Sequence, residues 1–174
     1  RAGGAGRSEI SEGILQEFLA LCKIPHQTGH EQAISDYLCA RLRELGYDAW
    51  QDESLNVITE IAPCEGLEHM PMIALQAHMD MVVAVSGKFD PEHDSVHAVV
   101  EGNILHTDGT SSLGADNGVG IAALLYTLSR SDLRHGPLKL IFTSGEEVGL
   151  RGARLLSSGV LEDVRYLINL DGFH

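Results

Sequence analysis

A histidine and an aspartate stand two positions apart inside an apolar stretch of this 174-residue chain. The run from residue 71 to residue 83 is typical of a buried strand, whose period of two would place His78 and Asp80 on the same side. Burying an imidazole beside a carboxylate is costly unless a partner satisfies both groups. A metal ion bound by His78, with Asp80 orienting the ring, would be such a partner. Taken alone, the pair is better explained as a core histidine satisfied by its neighbouring aspartate.

Three further polar clusters follow, each at the end of a predicted strand or at the start of a predicted helix. They are Asp116-Asn117, Glu146-Glu147 and Asp171. Because the carboxyl ends of strands in an open α/β sheet meet at a ligand crevice, we expect these clusters to converge with His78. One imidazole and several carboxylates suit a divalent ion such as Zn²⁺, Mn²⁺ or Co²⁺.

Each of these clusters has a simpler explanation when it is taken alone. Asp116 would cap a helix, Glu146 and Glu147 would be solvated charges in a turn, and Asp171 is as readily a turn residue at a strand end. The other histidines fall mostly in polar loops and are interpreted as surface residues, with His30 a candidate neighbour of the pocket. Only the combination of the four clusters favours a metal site.

Two other kinds of chemistry lack their sequence signatures. The chain has no Gly-x-Ser-x-Gly nucleophile elbow, and none of its cysteines has a convincing histidine partner in the sequence. The glycine-rich passage 108–118 lacks Gly-Lys-Ser/Thr and carries too many acids for a phosphate-binding loop. The residue types therefore favour metal chemistry over nucleophilic catalysis.

Helical and strand patterns alternate along the chain. Apolar spacing and end signals predict helices over residues 8 to about 23, 31–45, 119–129 and 150–158. Strands are predicted over residues 47–51, 55–62, 71–83, 138–143 and 166–170, with a hairpin of 96–100 and 103–107. The alternation predicts one α/β domain with a mixed, largely parallel central sheet flanked by helices.

The composition argues against two classes of partner. A net charge of −13 disfavours non-specific binding to nucleic acid and attraction to anionic lipid, and no apolar run reaches membrane-spanning length.

The first seven residues lack the apolar segment of a signal peptide. Cys22, Cys39 and Cys64 are odd in number without Cys-x-x-Cys spacing, which predicts free thiols in a reducing compartment, with the cytoplasm as the expected location.

The polar motifs occur in an order that resembles a known family. His78-x-Asp80, Gly114-Ala-Asp-Asn-Gly118, Glu146-Glu147-x-Gly149 and Asn169-Leu-Asp171 together are similar to the co-catalytic metallopeptidases of the M20 family. The aminoacyl-histidine dipeptidases, also called Xaa-His or cytosolic non-specific dipeptidases, are the branch that the chain resembles most. Residues 75–82 and 113–120 are similar to that branch at nearly every position, and Gly29-His30-Glu31 resembles its N-terminal helix region.

The resemblance implies a binding site for two divalent ions, Zn²⁺ with Mn²⁺ or Co²⁺ as alternatives. Its metal ligands would be His78, Asp116, Glu147 and Asp171. Asp116 would bridge the two ions, Asp80 would hold His78, and Glu146 would be the general base. A cis peptide bond is expected after Asp116.

The implied reaction is hydrolysis of small peptides, Xaa-His dipeptides in particular, by a water molecule activated between two metal ions. An N-acyl amino acid amidohydrolase of the same architecture is the alternative, because nothing in these residues reads the side chain of the substrate. A second alternative, from a different functional class, is a catalytically inert, metal-binding truncated product.

The family's chain extends beyond the length present here. By the resemblance, residues 1–174 are the N-terminal portion of one catalytic domain, without the lid domain through which the full-length protein would form a homodimer and without the C-terminal catalytic portion. A late histidine ligand would lie in that second half, and we do not expect the terminal His174 to replace it. We therefore expect this chain alone to be inactive and to hold one ion, at His78, Asp116 and Asp171, more tightly than the other.

Overall fold

A five-stranded mixed sheet lies at the centre of the protein, as seen in a computed structural model that describes residues 8–172. Its strands are β1 (Ala49–Gln51), β2 (Val57–Ile61), β3 (Met72–His78), β6 (Leu138–Thr143) and β7 (Val164–Asn169), and a separate hairpin consists of β4 (Ala98–Glu101) and β5 (Ile104–Thr107). The strand order is β1-β2-β6-β3-β7. The three strands β6, β3 and β7 run parallel, and β1 and β2 are antiparallel to their neighbours. This confirms the predicted mixed sheet with a parallel centre.

Within residues 8–172, four α-helices accompany these strands: α1 (Glu9–Leu21), α2 (Gln32–Glu44), α3 (Ala115–Ser129) and α4 (Arg151–Leu155). Ser8 caps α1, because its side chain accepts a hydrogen bond from the Ser11 N–H at 3.2 Å. The helix predicted for residues 150–158 is shorter than expected and is followed by a 3₁₀ turn at Ser158–Val160. No helix within residues 8–172 is long and apolar enough to cross a membrane.

Side chains on the two faces of the sheet enter two separate apolar clusters. Val57, Leu140 and Phe142 pack into the larger cluster with apolar residues of α1, α2 and α3. Ile58 and Ile141, one position along each strand, pack on the other side near the 3₁₀ turn. This alternation follows the period of two in a strand, and it gives the fold three helices on one face and a thinner layer on the other.

The parallel strands bring their carboxyl ends to one edge of the sheet. His78 is the last residue of β3 and is paired with Thr143 at the end of β6, while β7 ends two residues before Asp171. The prediction that strand periodicity would align His78 with Asp80 was wrong in one respect, because β3 ends at His78 and Asp80 lies beyond it. Apart from Asp116 at the start of α3, the predicted site residues therefore lie at the ends of these strands or just after them.

The N-terminal residues 1–7 and the C-terminal pair Phe173 and His174 lie outside the described residues. The expectation about His174 therefore stays a prediction.

Candidate metal centre

Three of the four predicted ligands come together at the carboxyl edge of the sheet. His78, Asp116 and Glu147 each offer one ligand atom, and these atoms lie within 4.8 Å of one another. The three residues come from the end of β3, the start of α3 and the turn after β6. Within residues 8–172, these three residues are the one group of three or more His, Cys, Asp or Glu side chains placed closely enough to hold a metal ion. A nitrogen and two carboxylate oxygens form a donor set that Zn²⁺ and similar divalent ions bind.

The imidazole of His78 is held by hydrogen bonds at both ring nitrogens. Nδ1 donates to the backbone carbonyl of Asp80 at 2.9 Å, and Nε2 lies 3.1 Å from Oδ1 of Asp116. The Asp80 carboxylate is farther from the ring, with Oδ1 at 3.5 Å from Nδ1. Asp80 thus holds His78, as predicted by the resemblance, but mainly through its backbone. Since a carbonyl can only accept, Nδ1 carries a proton and Nε2 is the nitrogen directed at the other acids.

The pKa of His78 reflects this acidic environment. Burial of the ring alone would lower the pKa of His78, but the hydrogen bond and charge of Asp80, with the nearby Asp116 and Glu146, raise it to about 9. A positive charge is therefore favoured at this point in the site. A bound divalent ion would supply it in place of the proton.

The Asp80 carboxylate binds the turn that carries the two glutamates. Oδ1 accepts from the backbone N–H of Glu146 at 2.8 Å, and Oδ2 accepts from the N–H of Glu147 at 3.3 Å and from Thr28 Oγ1 at 2.9 Å. The side chain is buried, which would raise the pKa of Asp80, but these hydrogen bonds and the contact with His78 lower the pKa instead. Asp80 is therefore a charged hydrogen-bond acceptor that fixes the backbone of Glu146 and Glu147.

The start of the same turn is fixed by another element. The Ser144 N–H donates to Oδ1 of Asn56 at 3.1 Å, and Asn56, which is fully buried, also donates to the carbonyl of Gly152 at 3.0 Å. Gly145 has a φ of +56°, a left-handed conformation that glycine adopts without a steric penalty. The chain thus reverses sharply after β6 and presents the two glutamates at the sheet edge.

Glu146 and Glu147 differ in their surroundings. The pKa of Glu147 is raised by burial and by the negative charges of Glu146, Asp116 and Asp80, which outweigh the attraction of His78. Glu146 is half-buried and lines a cleft of about 240 Å³, together with Asp171. Glu147 is exposed and is one of the clustered ligands, whereas Glu146 lines a cleft that none of the three clustered residues lines.

Asp116 lies in an irregular segment at the start of α3. Its φ and ψ of −90° and 109° are not helical, and the Asp116–Asn117 peptide bond is cis, as expected from the resemblance. Gly114 precedes it with a φ of +71°, and a Cβ there would be 2.7 Å from the sulfur of Met81. The left-handed φ favours glycine at this position, where the start of α3 lies against the Met81 side chain in the segment after β3.

Asp171 is not part of the three-residue group. It is exposed and lines two clefts, one of about 460 Å³ that it shares with Asp116 and one of about 240 Å³ that it shares with Glu146. Its Oδ1 accepts a hydrogen bond from the N–H of Gly172 at 2.8 Å. The role of Asp171 as a ligand stays a prediction.

Comparison with known proteins assigns the chain to a family. The sequence profile of Peptidase family M28 matches residues 56–174, a span that contains the whole three-residue group. The chain belongs to peptidase family M28.

Relatives of this M28-family chain include cytosolic non-specific and aminoacyl-histidine dipeptidases, the branch that its sequence motifs resemble. It is 33% identical over 167 residues to the cytosol non-specific dipeptidase of Escherichia coli K12, a match that covers 94% of this chain and 34% of that protein. The crystal structure of aminoacylhistidine dipeptidase from Vibrio alginolyticus superposes with a TM-score of 0.84 at 34% identity, covering 95% of this chain and 35% of that one. The resemblance to this branch is confirmed, and the chain spans about a third of the length of these relatives.

The fold is shared more widely. The YXEP protein of Bacillus subtilis, described as a dinuclear metal-binding peptidase from the M20 family, superposes with a TM-score of 0.59 at 20% identity, covering 92% of this chain and 42% of that one. At that identity the likeness concerns the fold alone.

Several residues that shape the M28-family site were not assigned a role from the sequence. Thr28, Glu31 and Asn56 all hydrogen-bond to the segments that carry the predicted ligands. Glu31 appeared only within a motif that resembled the N-terminal helix region, and Asn56 fell inside a predicted strand. Their low exposure, 6% for Glu31 and 0% for Asn56, is the signal that identifies them, and it is visible only in the structure.

Proposed function

We propose that these residues form the N-terminal part of a metallopeptidase catalytic domain whose full protein hydrolyses small peptides, Xaa-His dipeptides among them. The observation that carries this proposal is the convergence of His78, Asp116 and Glu147 within 4.8 Å of one another. The names of the relatives, cytosol non-specific dipeptidase and aminoacylhistidine dipeptidase, support the substrate class.

The donor set fits a divalent ion. His78 Nε2 and Asp116 Oδ1 lie 3.1 Å apart. The neighbouring carboxylates raise the pKa of His78, and burial together with neighbouring carboxylates raises the pKa of Glu147. A bound ion would neutralise these negative charges. His78, Asp116, Glu147 and Asp171 would hold two ions, with Asp116 shared between them. When bound, divalent ions lower the pKa of a water molecule and polarise a scissile carbonyl. Zn²⁺ suits these ligands, with Mn²⁺ and Co²⁺ as alternatives.

Glu146 is the residue that we assign as general base. Its backbone N–H donates to Asp80 Oδ1 at 2.8 Å, it directly precedes the clustered Glu147, and it lines a cleft of about 240 Å³ together with Asp171. From there the carboxylate would accept the proton of the attacking water and return it to the leaving amine. Asp80 acts through the backbone of the turn and through His78, and so is a positioning residue.

Further properties of the whole protein follow from the same proposal. A lid domain, a C-terminal catalytic portion and a late histidine ligand would lie outside residues 1–174, and the lid would pair two subunits in a homodimer. The proposed location is the cytoplasm, which agrees with the word cytosol in the name of the Escherichia coli relative.

The proposal is tested by a hydrolysis assay on the complete protein. Xaa-His dipeptides and N-acyl amino acids are offered in parallel to protein stripped with a chelator and to the same protein reloaded with Zn²⁺, Mn²⁺ or Co²⁺. Metal-dependent release of histidine from the dipeptides is the expected result. Preference for the N-acyl amino acids would support the amidohydrolase instead, and absence of hydrolysis of both substrates by the reloaded complete protein would overturn the proposal.

A further inference from the structure

Glu31 is a buried carboxylate that connects the loop before α2 to the turn after β6. Only 6% of the residue is exposed. Its Oε1 accepts two backbone hydrogen bonds, from Gly29 at 2.9 Å and from Gly145 at 3.1 Å. Gly145 directly precedes Glu146 and Glu147. A carboxylate is rarely buried without a role, because its burial is costly unless it is well bonded.

The buried carboxylates of Glu31 and Asp80 both bind backbone N–H groups of the turn after β6, which carries Glu146 and Glu147. Glu31 accepts the N–H of Gly145, and Asp80 accepts the N–H groups of Glu146 and Glu147, so three successive backbone donors are bound. Successive N–H groups of this kind form a concavity that attracts anions. Because Glu31 and Asp80 already fill it, the side chains of Glu146 and Glu147 are not drawn back onto their own backbone.

Asp80 and Glu31 hold the turn from different elements. Asp80 follows β3, the strand that carries His78, whereas Glu31 directly precedes α2. The loop that carries Glu31 is itself bound to the segment after β3 by two hydrogen bonds of Thr28. Its hydroxyl donates to Asp80 Oδ2, and the backbone N–H of Thr28 donates to the carbonyl of Met81 at 3.1 Å. Loss of Glu31 would free Gly145, the residue at which the chain reverses direction, while Asp80 would still hold the two residues that follow.

We propose that Glu31 is a positioning residue of the metal centre, which sets the backbone of Gly145 so that Glu147 lies among the clustered ligands with His78 and Asp116. This inference rests on the proposed function. It assigns Glu31 no contact with the ion or with the substrate. Its action is that of a hydrogen-bond acceptor, and residues that orient metal ligands in this way typically change metal affinity about 10- to 100-fold when they are removed.

A purely structural role is the competing explanation, and Glu17 provides the matched control. Glu17 is also a buried glutamate, with 9% exposure, and it forms an ion pair with Arg41 at 2.5 Å on the α1–α2 side of the fold. Its removal disturbs a partly buried ion pair without breaking any of the hydrogen bonds that hold residues 144–147. Glu17→Ala therefore measures the general effect of losing a buried glutamate.

The experiment titrates the metal-free complete protein with Co²⁺, following calorimetric heat and the visible absorption of the bound ion. Glu31→Ala is expected to bind Co²⁺ about 10- to 100-fold more weakly than the wild type and to show an altered absorption spectrum. Glu31→Gln keeps the length and the acceptor oxygen, so it should recover most of that affinity. Glu31→Asp is one methylene shorter and should not. Glu17→Ala should lower the thermal unfolding midpoint and leave Co²⁺ affinity unchanged.

Wild-type Co²⁺ affinity in Glu31→Ala, or an equal loss in Glu17→Ala, would overturn the inference. If Glu31→Ala does not fold, the comparison of the Gln and Asp variants decides, and equal affinities in these two would also overturn it. A wild-type protein that binds no Co²⁺ would instead contradict the proposed metal centre itself, and the role of Glu31 with it.

Discussion

The backbone N–H of Glu146 donates a hydrogen bond of 2.8 Å to Oδ1 of Asp80. This bond joins the segment after β3 to the turn after β6, two elements that lie 66 positions apart in the sequence. The same aspartate accepts the ring N–H of His78 at its carbonyl. One residue therefore sets the position of a predicted ligand and of the predicted general base, although its carboxylate lies outside the clustered ligand atoms.

Asp80→Asn should weaken metal binding and also destabilise the fold. An asparagine offers one acceptor oxygen and a donor amide, so one of the N–H groups of Glu146 and Glu147 would face another donor. Loss of a buried hydrogen bond costs about 1–3 kcal/mol in the free energy of unfolding, and metal affinity should fall about 10- to 100-fold. Zn²⁺ calorimetry and urea unfolding measure the two effects. Asp132→Asn removes an exposed aspartate paired with Arg130 and should change neither by much; similar affinities for the two variants would contradict the role of Asp80.

Glu146→Gln and Glu147→Gln should have different effects although the residues are neighbours. Glu146→Gln removes the proposed base, and we expect turnover of an Xaa-His dipeptide to fall by about two to four orders of magnitude with metal content unchanged. Glu147→Gln removes one of the clustered ligand groups, so metal content should fall as well. Metal analysis of the purified variants beside steady-state kinetics separates the two. Near-normal turnover in Glu146→Gln would rule out the assignment of the base.

The elements with the strongest apolar pattern were predictable from sequence. The bounds of β6 are those predicted, because all of its six residues are buried and polar turn residues follow. His78, Asp116 and Glu147 were expected to converge because the ends of parallel strands share one edge of a sheet. That rule uses only element type and order, both of which are visible in the sequence.

The contacts that fix the site were not predictable in the same way. Glu31 and Asn56 hydrogen-bond across 114 and 88 positions to the turn after β6, and no local pattern encodes such pairing. The end of β3 was placed too late because the apolar residues continue past His78 into the buried Met79 and Met81, which are not part of the strand. An apolar pattern predicts which residues are buried, but it does not predict the residue at which the backbone hydrogen bonds of a strand end.

Cys22 should make the stability of the protein fall at alkaline pH. Burial raises the pKa of the Cys22 thiol from 9.0 to about 11, so the folded state keeps a proton that the unfolded state releases. This contribution is fully present below pH 9 and is lost as pH rises through about 11, by up to roughly 2–3 kcal/mol. Urea unfolding at pH 8 and at pH 10.5 measures it. Cys22→Ala lacks the thiol and should lose less stability over this interval; curves that stay parallel would contradict the prediction.

Gly120→Ala should destabilise the protein, although alanine is the better helix former. Gly120 lies within α3, where a Cβ would collide with Oδ1 of Asn117 and lie 2.7 Å from the backbone carbonyl oxygen of Leu170. Helix propensity would favour alanine by about 1 kcal/mol, but overpacking against fixed backbone costs about 1–3 kcal/mol. Because Asn117 and Leu170 are the immediate neighbours of Asp116 and Asp171, metal affinity should fall together with the unfolding midpoint.

The matched control for this substitution is Gly159→Ala in the 3₁₀ turn. A Cβ there would meet only Oγ of Ser157, at an ordinary distance of 3.7 Å. Alanine also restricts the unfolded chain, so Gly159→Ala should leave stability unchanged or raise it by a few tenths of a kcal/mol. Thermal unfolding with and without Zn²⁺ compares the two variants directly. A Gly120→Ala protein as stable as Gly159→Ala, with normal Zn²⁺ affinity, would show that α3 does not need to approach Leu170 so closely for Asp116 and Asp171 to lie at the same cleft.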